Sequence, residues 1–166
     1  NGIPIKYLGN YPSEIDNTMD IPFHILGMAY QSSMCKQPTQ KRFALVTRYG
    51  EIIQIYEWDS EYKLANELYI RNNFAPKIAT REINGTPNFM PDKDTRWGYI
   101  SIDATDEYIF ALYSGRLQVP ENAFYAGNQI HVYDWNGKFI YKINVDYDLT
   151  SIAVKNKKIY ALLENE

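Results

Sequence analysis

Two histidines, one cysteine and a scatter of aspartates are the side chains here whose chemistry could do work. His24 and His131 stand alone, with no His-x-x-x-His or His-Glu pairing that would build a zinc site. Asp92-x-Asp94 precedes Trp97, and Asp103 and Asp106 follow. Such oxygens suit calcium, but the EF-hand spacing and its glycine are absent, so turn-forming aspartates in a solvated loop are the stronger reading. Cys35 has no partner for a disulfide or a metal and reads as a packed thiol. No phosphate-binding loop, nucleophile elbow or dinucleotide fingerprint occurs. The residues therefore predict no catalytic group, no metal and no cofactor. The binding candidates are loop aromatics: Phe89 and Trp97 in one connection, Phe124 and Tyr125 in another. Exposed, they could hold a peptide or stack on a sugar ring. Packed under their own loops, which is the stronger expectation, they form a small satellite core.

The elements that carry these residues read as strands. Tyr occurs 15 times in 166 residues, and aromatics make up 15% of the chain, which favours β structure. Short β-rich runs alternate with Gly, Asn, Asp and Pro clusters. Glu61–Ile70 is the best helical candidate, and equally a strand after a turn. Net charge is −3 and no extended Lys/Arg run occurs, which argues against nucleic acid and against an electrostatic membrane anchor. No apolar run approaches the roughly 20 residues of a membrane helix.

Internal repeats organise the strands. EIIQIYEWD, Glu51 to Asp59, aligns with NQIHVYDWN, Asn128 to Asn136, at an offset of 77. A Phe/Tyr-Ala-Leu element recurs at Phe43, Phe110 and Tyr160. Ile100–Leu112 aligns without gaps on Thr150–Leu162, at an offset of 50. Each unit then has four strands. The first, a, lies near Phe23–Ala29, near Gly98–Asp103 and near Thr150–Val154, and would bring His24 close to a central channel. The b strand carries the Phe/Tyr-Ala-Leu element, c ends in Tyr-acid-Trp, and d follows Asn136-Gly137 or Asp59-Ser60. Asn136-Gly137 predicts a hairpin turn with both central residues at φ > 0. Ile3–Pro12 would be the d strand of a preceding unit.

Strand c is apolar on both faces: Ile130 and Val132 on one, His131, Tyr133 and Trp135 on the other. A sheet with one wet face would alternate. Blades stacked around an axis cover both faces, so the fold expected is all-β, a β-propeller segment of four-stranded antiparallel blades, about two and a half of them. The chain, residues 1–166, reads as one such segment. Propellers close with about 4–8 blades, so the segment is expected either to belong to a longer chain or to self-associate through its open blade faces. Residue 1 is Asn, and no targeting segment can be read.

YLGNYP near the start, VYDWNGKFIYKI and SIAVKNKKIYAL resemble the TolB-like six-bladed propellers of the bacterial cell envelope, many of them lipoproteins. The likeness to WD40 blades is looser, because Gly-His is absent and the order here is Asp134-Trp135. The resemblance implies an envelope location, in the periplasm or on an outer-membrane lipoprotein. It also implies a non-enzymatic scaffold whose loops bind a protein or a small ligand. The alternatives are a carbohydrate-binding module and a metal-dependent lactonase or lyase, with Asp20, His24, Asp103 and Asp148 as its positional candidates.

Overall fold

The computed structural model describes residue 11 and residues 21–59, 64–118 and 125–164. Asp20, Phe124 and, apart from Tyr11, the opening segment 3–12 lie outside the described residues. A short helix, α1 (Phe23–Ala29), leads into an antiparallel meander of β1 (Ser32–Lys36), β2 (Arg42–Thr47), β3 (Ile52–Trp58) and β4 (Leu64–Arg71). A hairpin, β5 (Thr80–Ile83) and β6 (Thr86–Phe89), follows. The second meander is β7 (Tyr99–Ala104), β8 (Tyr108–Tyr113), β9 (Gly127–Asp134) and β10 (Phe139–Lys155). The first half of β10 pairs with β9 and its far end pairs with β11 (Lys158–Leu163). These are two four-stranded blades and half of a third.

The faces explain the composition. Ala44, Val46, Ile53 and Ile55 of the first blade share one core cluster with Ile109, Ala111, Tyr133 and Trp135 of the second. The other side of the second blade, with Phe110, Leu112, Ile130 and Val132, packs on Leu149 and Ile152 of the half-blade. Strand c is thus covered on both faces: Ile130 and Val132 enter one seam, Tyr133 and Trp135 the other. Each fully buried Ile or Val contributes about 1.5–3 kcal/mol, so neither seam could be left wet without a large loss. The innermost strands meet at the centre, where β1 and β10 both pack against β7.

The offset of 50 is a structural identity. Ile102 pairs with Ala111 and Ile152 with Ala161, and both ladders carry a bulge at the same place, between Tyr99 and Ser101 and between Leu149 and Ser151. The Phe-Ala-Leu match between the first two blades does not hold. Phe43 pairs with Tyr56, whereas Phe110 pairs with Val132, one residue out of step. A one-residue slip reverses every side chain. Ala44 therefore points forward and Ala111 backward, and both reach zero exposure in the same seam.

Two local expectations are corrected and one open reading is settled. Phe23–Ala29 is a helix, not strand a; its buried Ile25, Leu26 and Ala29 share one helical face. The first blade's innermost strand is β1, Ser-Ser-Met-Cys-Lys, in which only Cys35 is buried, so hydrophobic pattern gives it no signal. Glu61–Ile70 resolves as β4 over its described part. At Asn136-Gly137 only Gly137 has positive φ, at 79°. Asp134 Oδ1 accepts the backbone N–H of Asn136 and of Lys138, each at 2.9 Å, and Gly137 N–H donates to Asp134 O at 3.0 Å. This is an aspartate-anchored turn with glycine closing it, and a register shift follows at Phe139/Tyr141. The two-residue turns with both φ positive are Asn84-Gly85 (53° and 77°) and Asn156-Lys157 (53° and 59°).

Candidate functional site

The connections divide between the two ends of the blades. Among the described residues, one end has short links: residues 37–41, 105–107, 135–138 and 156–157. The other carries α1, the long connection 72–98 with its β5–β6 hairpin, and the thirteen-residue connection from β8 to β9. Propeller function lies where loops are elaborated, because the blades are occupied with packing. This elaborated end is the candidate functional face.

Its centre is aromatic. Tyr49, in the β2–β3 turn, stacks on Trp97 at 5.2 Å and meets Phe89 at 5.3 Å; Tyr125 meets Trp97 edge-on at 5.0 Å. The structure thus brings Trp97, Tyr125 and Phe89 into one cluster. Trp97 is only 7% exposed, so its ring is committed to packing. Tyr125 donates its hydroxyl to Ile100 O at 3.0 Å, and Arg48 lies over its ring at 4.4 Å. Arg48 and Tyr49, which the sequence reading overlooked, complete the cluster. The turn reaches it because the Gly98 N–H donates to Arg48 O at 2.6 Å. Trp97 Nε1, Ser114 Oγ and Gln118 Oε1, all of this end, are buried without a hydrogen-bond partner among the described residues. Arg116 forms a two-pronged pair with Asp148, which holds that carboxyl below the usual range.

Beneath the cluster, between the blades, lies a buried polar chain. Glu51, 3% exposed, accepts from Asn73 Nδ2 at 2.6 Å and from the Tyr113 hydroxyl at 3.2 Å. Its other oxygen is 4.0 Å from His131 Nδ1. The Tyr99 hydroxyl sits 3.3 Å from His131 Nδ1 and 2.9 Å from the Tyr133 hydroxyl, which accepts from Asn72 Nδ2 at 2.9 Å. Tyr113 stacks on His131 at 4.5 Å. Burial lowers the His131 pKa, with Lys142 adding to that and Glu51 opposing it. Burial, then Glu51, raises that of Tyr113; burial also raises those of Tyr99 and Tyr133. The chain ties Glu51, Asn72 and Asn73, which flank β3 and β4, to three strands of the second blade. Of its members the sequence marked His131 and Tyr133, as neighbours on one face of strand c; the acid that opens EIIQIYEWD was the available signal for Glu51.

The remaining candidates are dispersed. His24 is exposed on α1, with Nε2 3.0 Å from Pro87 O, and does not lie on an innermost strand. Asp92 and Asp94 both accept from Lys77, at 2.9 and 3.0 Å. Asp103 Oδ2 takes the Val154 N–H at 2.6 Å, and Asp106 Oδ1 takes the Thr39 N–H at 2.9 Å and its hydroxyl at 2.6 Å. These aspartates therefore bind one strand or turn to the next. Among the described residues no group of three His, Cys, Asp or Glu side chains converges as a metal site. Cys35 is buried, and that burial pushes its thiol up to about 12. No helix among the described residues is long and apolar enough to cross a membrane.

No curated protein matches the chain. The family described as TolB-like 6-blade propeller-like matches it over residues 2–157. The two blades, the half-blade and a match that spans nearly the whole sequence agree, and the chain belongs to the TolB-like 6-blade propeller-like family.

Proposed function

We propose that this protein is a non-enzymatic propeller scaffold of the bacterial cell envelope whose elaborated end binds a protein or a small ligand. The observation that carries the reading is the asymmetry of the two ends: helix, hairpin and the long connections all fall on one, around Arg48, Tyr49 and Tyr125. Among the described residues, three buried polar atoms without partners lie on that end, Trp97 Nε1, Ser114 Oγ and Gln118 Oε1, against one, Gln37 Oε1, at the plain end, and they support the reading, since such atoms are costly unless something satisfies them. The envelope location rests on family membership.

The test combines cross-linking in envelope fractions with two sets of variants. Arg48→Ala and Tyr125→Ala, and replacement of the Thr80–Phe89 hairpin by a short linker, are expected to lose a specific cross-linked partner. Lys41→Ala and Glu107→Ala, at the plain end, are expected to keep it. Equal loss from both ends, or turnover of an ester or lactone by the purified protein, would refute the reading.

A further inference from the structure

We infer that Asn84-Gly85, at the tip of the β5–β6 hairpin, is a site of self-modification: the Gly85 backbone nitrogen displaces ammonia from the Asn84 side chain, while Asn136-Gly137 is protected by its turn. This goes beyond the scaffold reading and holds whatever the loops bind. Asn-Gly occurs at 1–2, 84–85 and 136–137, and the first pair lies outside the described residues. Glycine favours the reaction because no side chain screens its nitrogen. The hairpin forms a sheet of its own in the connection between two whole blades, apart from the blade faces that stacking covers. All of β5 is exposed, as are Asn84, Gly85, Thr86 and Pro87.

The two described turns differ at the attacking atom. Around Gly85 the space is open: a Cβ built there would meet nothing within 4 Å. Neither its N–H nor the Asn84 side chain has a hydrogen-bond partner among the described residues. At the other turn the Gly137 N–H donates to Asp134 O at 3.0 Å, and the Asn136 N–H donates to Asp134 Oδ1 at 2.9 Å. A Cβ on Gly137 would strike the Leu68 and Ile70 side chains of the first blade, so that peptide has no room to rotate. Ring closure requires the tip to leave its native geometry, in which Asn84 and Gly85 have φ of 53° and 77°. The hairpin is held through β6, where Phe89 is buried and Pro87 O meets His24 Nε2, and not through its tip. Two short strands alone are marginal in water and open locally at small cost, whereas 135–138 opens only with a packed seam.

The step balances within the chain and with solvent water. The Gly85 nitrogen bonds to Asn84 Cγ as the Cγ–Nδ2 bond breaks, and Nδ2 leaves as ammonia carrying the Gly85 amide proton. The product is a five-membered imide joining residues 84 and 85. Water opens it at either carbonyl, giving an aspartyl or an isoaspartyl linkage at position 84, and nothing is oxidised or reduced. Either product adds a negative charge to a hairpin that already carries Arg81 and Glu82. The isoaspartyl form also lengthens the main chain by a carbon within a two-residue turn, which then no longer holds Ile83 opposite Thr86. The elaborated end thus changes with the age of the molecule.

The experiment is peptide mapping by mass spectrometry of the folded 166-residue chain, sampled over days in mildly alkaline buffer beside the same chain in urea. Replacing the amide nitrogen by oxygen raises a peptide's mass by about 1 Da, and the aspartyl and isoaspartyl forms separate by chromatography. In the folded chain Asn84 is expected to convert at least about tenfold faster than Asn136. In urea the two are expected to convert at similar rates, because both are then Asn-Gly in an open chain. Asn84→Gln, whose longer side chain would have to close a six-membered ring, is expected to hold its mass. Equal rates at Asn84 and Asn136 in the folded chain overturn the proposal, as does an Asn84 that reacts in urea and not in the fold. An undiminished mass gain in the hairpin peptide of Asn84→Gln also overturns it, since Asn88 would then be the source.

Discussion

Replacing Gly98 by alanine tests whether the two blades are held together at the elaborated end by backbone against backbone. A Cβ on Gly98 would lie 2.6 Å from Gly50 C and 2.8 Å from Thr47 O, and closer still to Gly50 O. These are main-chain atoms of the β2–β3 turn, and no side chain can swing aside. To reach an ordinary contact the turn must retreat by well over an ångström. That retreat breaks the Gly98 N–H bond to Arg48 O, worth about 1 kcal/mol. It also parts Tyr49 from Trp97, whose stacking is worth about 0.5–1.5 kcal/mol. Residual strain in a packed seam adds about 1–3 kcal/mol. The sum is a destabilisation of about 3–5 kcal/mol, among the larger effects of single substitutions. Urea unfolding followed by tryptophan fluorescence measures it. A loss below about 1 kcal/mol would show that the turn yields freely and that the seam is not fixed there.

Three other outcomes follow from the buried groups. His131 has its folded pKa below the ordinary 6.5, so on acidification the unfolded chain takes up the proton first. Stability is therefore expected to decline as pH falls through about 6.5, and His131→Phe should flatten that slope in urea midpoints measured from about pH 7 to 5. Glu51→Ala leaves Asn73 Nδ2 and the Tyr113 hydroxyl without their acceptor in a dry seam, an expected cost of about 2–3 kcal/mol; a cost within experimental error would show that the chain is solvated. Cys35, buried and with its thiol at about 12, should resist a thiol reagent at pH 8 in the native state and react within the mixing time in urea; equal rates would place it at the surface.

What could be read from the sequence was whatever a repeat expresses through large apolar residues. Tyr133 and Trp135 on one face of β9, and Ile130 and Val132 on the other, announced neighbours on both sides, and the structure supplies them. The match of Ile100–Leu112 to Thr150–Leu162 survived down to its bulge because both copies pair with the same inner-strand geometry. The match of Phe43 to Phe110 failed because a three-letter similarity carries no register, and pairing with strand c moved it by one residue. β1 was missed because Ser32, Ser33, Met34 and Lys36 face outward or sit half-buried, so it has no alternation to detect. At the candidate site Trp97, Phe89 and Tyr125 were found by type. Arg48, Tyr49 and Glu51 were not, because their side-chain neighbours come from distant stretches of the chain, at the nearest 22 residues away.

The unbroken course of β10 has a bearing on how this protein can be cut. Phe139–Lys155 begins as the outer strand of one blade and ends as the innermost strand of the next, bent only by irregularities in its ladders. The sequence period and the physical joints therefore fall in different places. A truncation or domain swap made at the repeat boundary would sever a strand and strip Leu149 and Ile152 from the Ile100–Phe110–Leu112 seam. Breaks placed in the turns at 105–107 or 135–138 would leave every strand whole. For circular permutation or split-protein reassembly, the usable cassette thus runs from turn to turn, straddling two blades, and not from repeat to repeat.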